Sequence, residues 1–212
     1  MNITGAIFDF DGTLFDSMHV WKGIRYNFMN ELGIKLTEED VKAFEGLFLR
    51  ESLLVAIERF NLFETYEQLL ERLFNYIKRR YLAETEPKND IIDFLEKLKA
   101  RGVKMGIATA TGESALIAVL EKYNMTHYFS AIYSTYTVGA SKTEPKVYDV
   151  VLESLGTDKA TTWVFEDALY AAKTAKANGY NLVGIYDVSE PSTEELKEIS
   201  DIYIHNYSEI NL

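Results

Sequence analysis

The sequence predicts an α/β fold with a Rossmann-like parallel sheet core, helices on both faces of that sheet, and an inserted cap of four helices. After residue 87, short apolar runs typical of buried strands alternate with amphipathic segments of about ten residues. This alternation indicates right-handed strand–helix–strand units, which build a parallel sheet. Between residues 16 and 82 the pattern is almost entirely helical, so this stretch interrupts the sheet after its first strand.

Local patterning predicts each element in turn. The first strand is the apolar run at residues 6–8, and glycines such as Gly102, Gly156 and Gly179 mark the ends of helices. The remaining predicted elements, in chain order, are helix 91–99, strand 103–109, helix 113–123, strand 131–134, helix 146–155, strand 161–165, helix 168–178, strand 181–186, and a short final strand and tail in the last dozen residues.

The predicted insertion has one apolar helical face and a charged opposite face. In its last helix, the apolar side chains that share one face are Tyr66, Leu69, Leu70, Leu73, Phe74, Ile77 and Tyr81. We therefore predict a core domain of residues 1–15 and 83–212 and a helical cap domain of residues 16–82. Because both ends of the cap join the core near the first strand, the cap should overhang that edge of the sheet as a lid.

Size and composition narrow the class of protein. A chain of 212 residues with 47% hydrophobic and 13% aromatic residues can bury one sizeable core. Its net charge of −11 argues against binding to nucleic acids or membrane surfaces, which depends on basic patches. The absence of cysteine excludes disulfides and thiolate metal sites. With neither a signal-peptide pattern nor a run long enough for a membrane span, we expect a cytoplasmic protein. The sequence leaves open whether it is a monomer or a homodimer.

Two acidic residues, Asp9 and Asp11, follow the first strand. A surface Asp-Gly turn is the ordinary explanation, but here the acids emerge from a wholly apolar run and no second strand follows within hairpin distance. Open α/β sheets bind ligands at the carboxyl ends of their strands, and residues two apart in extended chain point to the same side. Two carboxylates this close repel each other unless a cation or a proton lies between them. The pair therefore predicts a hard divalent cation, Mg²⁺ before Ca²⁺.

Three further places carry polar residues where chemistry is expected. Thr109 ends a strand and could bind an anion together with free backbone N–H groups, with N-capping of the next helix as the alternative. Lys142 lies in a polar loop, where it could neutralise a phosphate or hold a carboxylate, or be a solvated surface lysine. Lys146, nearby, is the alternative residue for the same role. Glu166 and Asp167 follow another apolar strand and begin the next helix, with N-capping again as the alternative. Two strands that each deliver an acid pair to one edge favour a cation there.

Taken in order, these residues resemble the four motifs of the haloacid dehalogenase superfamily. The matching residues are Asp9-Phe10-Asp11-Gly12-Thr13, Thr109, Lys142 and Glu166-Asp167. The helical insertion after the first motif is similar to the type 1 cap of members such as phosphoglycolate phosphatases and β-phosphoglucomutases. One departure is that the family's lysine is usually followed directly by proline, whereas here Thr143 follows and the proline is delayed to Pro145.

The resemblance implies a role for each residue. Asp9 would be the nucleophile that forms an aspartyl-phosphate, and Asp11 would protonate the leaving alcohol and then activate water. The implied Mg²⁺ ligands are the Asp9 carboxylate, the Asp11 main-chain carbonyl, Asp167 and Glu166. The residues implied to contact phosphoryl oxygens are Thr109, Ala110 and Lys142.

The predicted function is thus a Mg²⁺-dependent phosphatase of a small phosphorylated metabolite, with a lid that excludes water. In the cap, Arg50 lies in a segment that resembles one of β-phosphoglucomutase-like members and could reach a substrate anion; a surface arginine on a helix is the alternative. A sugar-phosphate mutase is the alternative function, but Trp21, not His19, stands where the mutases have a cap-linker histidine. A receiver-like module phosphorylated on aspartate is a third hypothesis, which the insertion and the order of the motifs oppose.

Overall fold

The computed structural model describes residues 1–47 and 49–212. The strands in these ranges are β1 Gly5–Phe8, β2 Phe15–Asp16, β3 Glu86–Pro87, β4 Lys104–Thr109, β5 Phe129–Ser134, β6 Thr162–Glu166, β7 Asn181–Ile185 and β8 Ile202–Ile204. Six of them form a sheet in the order β5-β4-β1-β6-β7-β8, with parallel pairing throughout. The predicted parallel sheet is confirmed, and β1 lies near its centre.

The α-helices account for most of the rest of the chain. They are α1 Met18–Trp21, α2 Ile24–Glu31, α3 Glu38–Ala43, α4 Leu49–Arg59, α5 Tyr66–Glu84, α6 Ile91–Ala100, α7 Glu113–Lys122, α8 Thr135–Val138, α9 Lys146–Leu155, α10 Leu169–Ala177 and α11 Thr193–Ile199. Single 3₁₀ turns occur at Thr126–Tyr128, Lys159–Thr161 and Tyr207–Glu209. Within the described ranges, none of these helices has the length and apolar character needed to cross a membrane.

Alternate side chains of the sheet strands are buried on opposite faces. In β1, Phe8 belongs to the apolar cluster that α6 and α7 complete, whereas Ile7 belongs to the cluster formed with α9, α10 and α11. Phe8 stacks on Phe165 of β6 with ring centroids 4.4 Å apart. The prediction of helices on both faces is therefore confirmed, and the rigid centre of the sheet carries the first acidic motif.

The helical insertion lies between β1 and β4, as predicted. It contains the four helices α2, α3, α4 and α5, each of six residues or more. The single helical turn α1 precedes them. The chain enters the insertion through β2 and leaves it through β3. These two strands pair antiparallel, Phe15 with Pro87 and Asp16 with Glu86. Helix α5 continues to Glu84, two residues beyond the end predicted for the cap.

Three local predictions need correction. Glu166 does not begin a helix: it pairs with Gly184 in the sheet, and α10 begins only at Leu169. Strand β6 also begins one residue later than predicted because Thr161 closes a 3₁₀ turn. Helices α8 and α11 were not predicted, since four and seven residues are too few to show a helical apolar period.

Candidate active site

Three neighbouring strands deliver polar side chains to one edge of the sheet. β1 lies between β4 and β6, and Asp9, just past β1, donates its N–H to the carbonyl of Phe165 over 2.9 Å. Glu166 ends β6, Asp167 follows it, and Thr109 ends β4. Because parallel strands end at the same edge, residues from three distant segments lie together where open α/β sheets bind ligands.

Asp9, Glu166 and Asp167 form a buried acidic cluster. One carboxylate oxygen of each lies within 4.8 Å of those of the other two. Their exposed fractions are 8%, 0% and 3%. Burial raises the pKa of Asp9 and of Asp167 well above the ordinary value, and the neighbouring charge of Glu166 raises both further. Ionisation of all three carboxylates is therefore unfavourable unless a metal cation is bound among them.

Lys142 is buried against the acidic cluster. Its Nζ lies 2.6 Å from Asp9 Oδ1 and donates a hydrogen bond of 2.8 Å to Glu166 Oε2. The side chain is only 2% exposed, so the alternative of a solvated lysine is wrong, whereas Lys146 is exposed. Burial by itself lowers the pKa of Lys142, but the negative charges of Asp9 and Glu166 raise it by more. The pKa of Lys142 therefore lies well above its ordinary value. A charged ammonium is thus held between two carboxylates.

The donor set of the acidic cluster fits a hard divalent cation. Asp9 Oδ1 is buried and, among the residues that the structure describes, accepts no hydrogen bond of good geometry; its contact to Lys142 is an ion pair. A buried oxygen in this condition gains free energy from a further electropositive partner. Thr13 Oγ1 donates to Asp167 Oδ1 over 2.8 Å and orients that carboxylate. Carboxylate oxygens of this kind are the ligands that Mg²⁺ and Ca²⁺ prefer.

Gly12 allows the first motif to approach Asp167 closely. Its φ of +74° lies in the left-handed region that favours glycine. A Cβ at this position would lie 2.2 Å from Asp167 Oδ2. Glycine is therefore required here both by the backbone conformation and by the space that the carboxylate occupies.

Asp11 lies outside the acidic cluster and accepts hydrogen bonds from three hydroxyl groups. Ser17 Oγ and Tyr81 Oη donate to its Oδ1 over 2.6 and 2.5 Å, and Thr111 Oγ1 donates to its Oδ2 over 2.5 Å. Sequence reasoning missed all three partners. The available signal was Tyr81 itself, because a tyrosine on a buried helical face needs a hydrogen-bond partner for its hydroxyl. The Asp11 carboxylate is thus held by the strand end, the insertion and the loop after β4.

Thr109 is fully buried, and its hydroxyl accepts a hydrogen bond of 2.9 Å from the N–H of Thr111. The alternative of N-capping is not observed, because the N-cap of α7 is Gly112, with no side-chain cap. Ala110, between the two threonines, lines the cavity described below. The segment therefore forms a tight polar turn, from which the Thr111 hydroxyl reaches Asp11 of the first motif.

Helix capping does not account for the second acid pair either. The N-cap of α10 is Ala168, with no side-chain cap. Glu166 Oε1 accepts one long hydrogen bond of 3.3 Å from the N–H of Ala168, while the N–H of Leu169 donates to Glu190. Asp167 instead accepts a hydrogen bond from Thr13 Oγ1, so its carboxylate does not cap the helix.

A cavity of about 680 Å³ opens over these residues, between the sheet edge and the insertion. Asp9, Asp11, Lys142 and Asp167 lie on its core side, and Met18, Trp21, Leu49 and Arg50 lie on the side of the insertion. The guanidinium carbon of Arg50 lies 4.4 Å from the ring centroid of Tyr136, which comes from the core. The insertion thus overhangs the acidic edge, as a lid would.

Comparison with known proteins agrees with this architecture. A family model described as haloacid dehalogenase-like hydrolase matches residues 6–185. A phosphorylated carbohydrates phosphatase of Thermotoga maritima is 25% identical over 174 residues, covering 82% of this chain and 81% of that protein. Hexitol phosphatase B of Escherichia coli is 27% identical over 183 residues, covering 82% and 80%. The crystal structure of CbbY from Rhodobacter sphaeroides in complex with phosphate superimposes with a TM-score of 0.79 at 18% identity, covering 98% of this chain and 96% of that one. The chain belongs to the haloacid dehalogenase-like hydrolase family.

Proposed function

We propose that this phosphatase of the haloacid dehalogenase-like family is Mg²⁺-dependent and hydrolyses a small phosphorylated metabolite through an aspartyl-phosphate. The observation that carries the proposal is the position of Asp9, which lines the cavity, pairs with Lys142 over 2.6 Å and is grouped with Glu166 and Asp167 in the acidic cluster. A carboxylate next to an ammonium and a cation site can approach a phosphoryl group despite the negative charge of both. The curated relatives named above as phosphatases support the same reaction class.

In the first step, an Asp9 oxygen attacks phosphorus and forms a new P–O bond while the P–O bond to the alcohol breaks. Asp11 gives its proton to the departing oxygen, so the alcohol leaves neutral. In the second step, water attacks the phosphorus of the aspartyl-phosphate and Asp11 takes up a proton from that water. Inorganic phosphate leaves, and the Asp9 carboxylate is restored. Lys142, Thr109 and Ala110 hold the phosphoryl oxygens in line during both steps.

In this proposal Mg²⁺ would be held by the carboxylates of Asp9 and Asp167 and the main-chain carbonyl of Asp11, and Glu166 would ligate the ion directly or through a water. Bound Mg²⁺ supplies positive charge that offsets the charge of the phosphoryl group and of the acidic cluster. Thr13 supports this set by fixing Asp167 with a 2.8 Å hydrogen bond. Lys142 supports it by pairing with Glu166 over 2.8 Å, which offsets the negative charge of that carboxylate.

The insertion supplies the part of the cavity that chooses the substrate. In the proposal, the cap spans residues 16–82 and the core spans residues 1–15 and 83–212, with Arg50 placed to meet an anionic or strongly polar group of the substrate. Arg50 is held against the Tyr136 ring at 4.4 Å, which limits the positions of its guanidinium. Named relatives that act on phosphorylated carbohydrates and hexitol phosphates favour a sugar or polyol phosphate.

The test is release of inorganic phosphate from 4-nitrophenyl phosphate with and without Mg²⁺. We expect Asp9→Asn to abolish release and the exposed-acid control Asp16→Asn to retain it. Release that survives in Asp9→Asn would rule out the proposal. A panel of sugar, polyol and nucleotide phosphates and small phosphorylated acids then identifies the substrate class by kcat/KM.

A sugar-phosphate mutase stays the alternative prediction. A mutase must turn a bisphosphate over within the cavity, and Arg50 would then hold its distal phosphate. Against it, the indole N–H of Trp21, which stands where mutases have a histidine, donates to Tyr81 over 2.7 Å. Interconversion of glucose 1-phosphate and glucose 6-phosphate that outpaces phosphate release would favour the mutase; phosphate release that outpaces interconversion would favour the phosphatase.

A further inference from the structure

Tyr81 contributes a hydroxyl group from the insertion to the core carboxylate of Asp11. It lies on α5, is fully buried, and places its Oη 2.5 Å from Asp11 Oδ1, although the two residues are 70 positions apart in the chain. A tyrosine phenol, with an ordinary pKa of about 10, keeps its proton at neutral pH and can donate it to a carboxylate.

The direction of this hydrogen bond is set by Trp21. The indole Nε1 lies 2.7 Å from Tyr81 Oη, and an indole N–H can only donate. Tyr81 Oη accepts there, so its single proton is available for Asp11. The competing acceptor, Thr111 Oγ1, lies farther away at 3.2 Å, and it donates its own proton to Asp11 Oδ2. The chain of donors thus runs from Trp21 through Tyr81 to Asp11.

We infer that Tyr81, oriented by Trp21, is a positioning residue for Asp11 in acid–base catalysis. The inference rests on the proposed function and adds the source of the orientation of Asp11. Tyr81 and Ser17 donate to Oδ1 of the carboxylate and Thr111 donates to Oδ2, so together they fix its plane and leave one Oδ2 position for the proton that passes to the leaving oxygen or comes from the attacking water. Without the Tyr81 hydroxyl, Oδ1 loses one of its two donors, so Asp11 rotates more freely and transfers a proton less often in the required geometry.

The test compares two esters with leaving groups of different basicity. Phenyl phosphate releases a phenolate, whose conjugate acid has a pKa of about 10, as in tyrosine, and so needs a proton from Asp11. 4-Nitrophenyl phosphate has a much more acidic leaving group and depends little on that proton. We expect Tyr81→Phe to lower kcat/KM on phenyl phosphate about tenfold or more and on 4-nitrophenyl phosphate less than about threefold.

Tyr76→Phe is the matched control. Tyr76 lies on the same helix, and its hydroxyl accepts a 3.3 Å hydrogen bond from Arg80 instead of donating to Asp11. We expect equal kcat/KM ratios for the two esters in this control and in the unchanged protein. Trp21→Phe keeps an aromatic ring at the cavity wall and removes the donor to Tyr81. We expect it to lower kcat/KM about threefold on phenyl phosphate and less on 4-nitrophenyl phosphate. This second variant gives the answer if Tyr81→Phe fails to fold.

Equal losses on both esters, or no loss on either, in Tyr81→Phe and Trp21→Phe would overturn the inference, because a merely structural role does not depend on the leaving group. Failure of the proposed function has a different signature. It is phosphate release that persists in Asp9→Asn, whatever the tyrosine variants do.

Discussion

The Nζ of Lys142 lies 2.6 Å from Oδ1 of Asp9, and both side chains are almost entirely withdrawn from water, with 2% and 11% of their surfaces exposed. The same ammonium reaches Glu166 at 2.8 Å. Burying three carboxylates and one ammonium costs desolvation free energy, so the acidic cluster does not stabilise the fold. Such clusters are typical of functional sites. Lys142 offsets part of the negative charge of the acidic cluster. In the proposed mechanism the same ammonium also contacts phosphoryl oxygens of the substrate.

We expect Lys142→Met to destabilise the protein by about 3–5 kcal/mol, because it leaves the carboxylates of Asp9 and Glu166 buried without their ammonium. It should also lower kcat at least about a hundredfold through loss of charge stabilisation in the transition state. Chemical denaturation and phosphate release measure the two effects. Lys146→Met is the control, since Lys146 is exposed in the same segment. A Lys142→Met protein of unchanged stability would contradict the role given to this ion pair.

The metal-free protein should lose stability as pH rises from about 4 toward neutrality. The pKa values of Asp9 and Asp167 are raised above the 3.8 expected in the unfolded chain. Over that pH range the folded state therefore holds more protons than the unfolded state, and the free energy of unfolding falls with increasing pH. Mg²⁺ should remove this loss by stabilising the ionised carboxylates. The measurement is the unfolding midpoint from pH 5 to pH 8, with a chelator and with Mg²⁺.

Asp167→Asn should raise the unfolding midpoint of the metal-free protein at pH 7. Removal of one buried charge relieves repulsion in the acidic cluster, and a gain of about 1 kcal/mol corresponds to about 2–4 °C for a chain of this size. The same variant should lose the stabilisation by Mg²⁺ and the phosphatase activity. Glu71→Gln, at an exposed position on α5, is the control that changes net charge equally. A variant that is destabilised without metal yet still responds to Mg²⁺ would speak against the proposed ligand.

Gly12→Ala should abolish activity and destabilise the protein more than Gly102→Ala. Both glycines have nearly the same φ, +74° and +73°, so a left-handed alanine costs about 1–2 kcal/mol in both variants. Only at Gly12 would the new Cβ meet Asp167, at 2.2 Å, whereas nothing lies within 4 Å at Gly102. Differential scanning calorimetry and Mg²⁺ titration measure the difference. Equal losses in the two variants would mean that the contact with Asp167 does not constrain the site.

Arg50→Gln should raise KM about tenfold or more for substrates that carry a second anionic or strongly polar group, since a charged hydrogen bond contributes about 1.5–3 kcal/mol. It should leave KM for 4-nitrophenyl phosphate nearly unchanged, because that ester presents no such group. Arg79→Gln is the control: Arg79 is 60% exposed and pairs with Glu31 on the insertion. Equal KM changes on both kinds of substrate would remove Arg50 from substrate recognition.

Much of the site follows from the sequence because it is built at strand ends. Apolar runs identify the strands, and a parallel sheet brings the residues after them to one edge, so Asp9, Thr109, Glu166 and Asp167 could be grouped without coordinates. The burial of Lys142 could not be deduced in this way. Its loop carries Thr143 before the proline, and only the packing of the loop against β6 brings Nζ to Glu166.

The surroundings of Asp11 depend on how the insertion packs on the core. The apolar period of α5 correctly places Tyr81 on the buried face, but the contact of its hydroxyl with Asp11 depends on the angle between α5 and the sheet edge. A one-residue shift of α5 would turn Tyr81 away by about 100°. The short helices α8 and α11 escaped prediction for a related reason, since tertiary contacts and not local periods decide such segments.

A crystal structure of the protein with Mg²⁺ and beryllofluoride, a mimic of the phosphoryl group, examines the shared metal and the nucleophile together. We expect the mimic bonded to an Asp9 oxygen, with one Mg²⁺ bound by the carboxylates of Asp9 and Asp167 and with Lys142 on a fluorine. A mimic attached to another residue, or Asp9 and Asp167 without a common metal ion, would contradict the proposed chemistry.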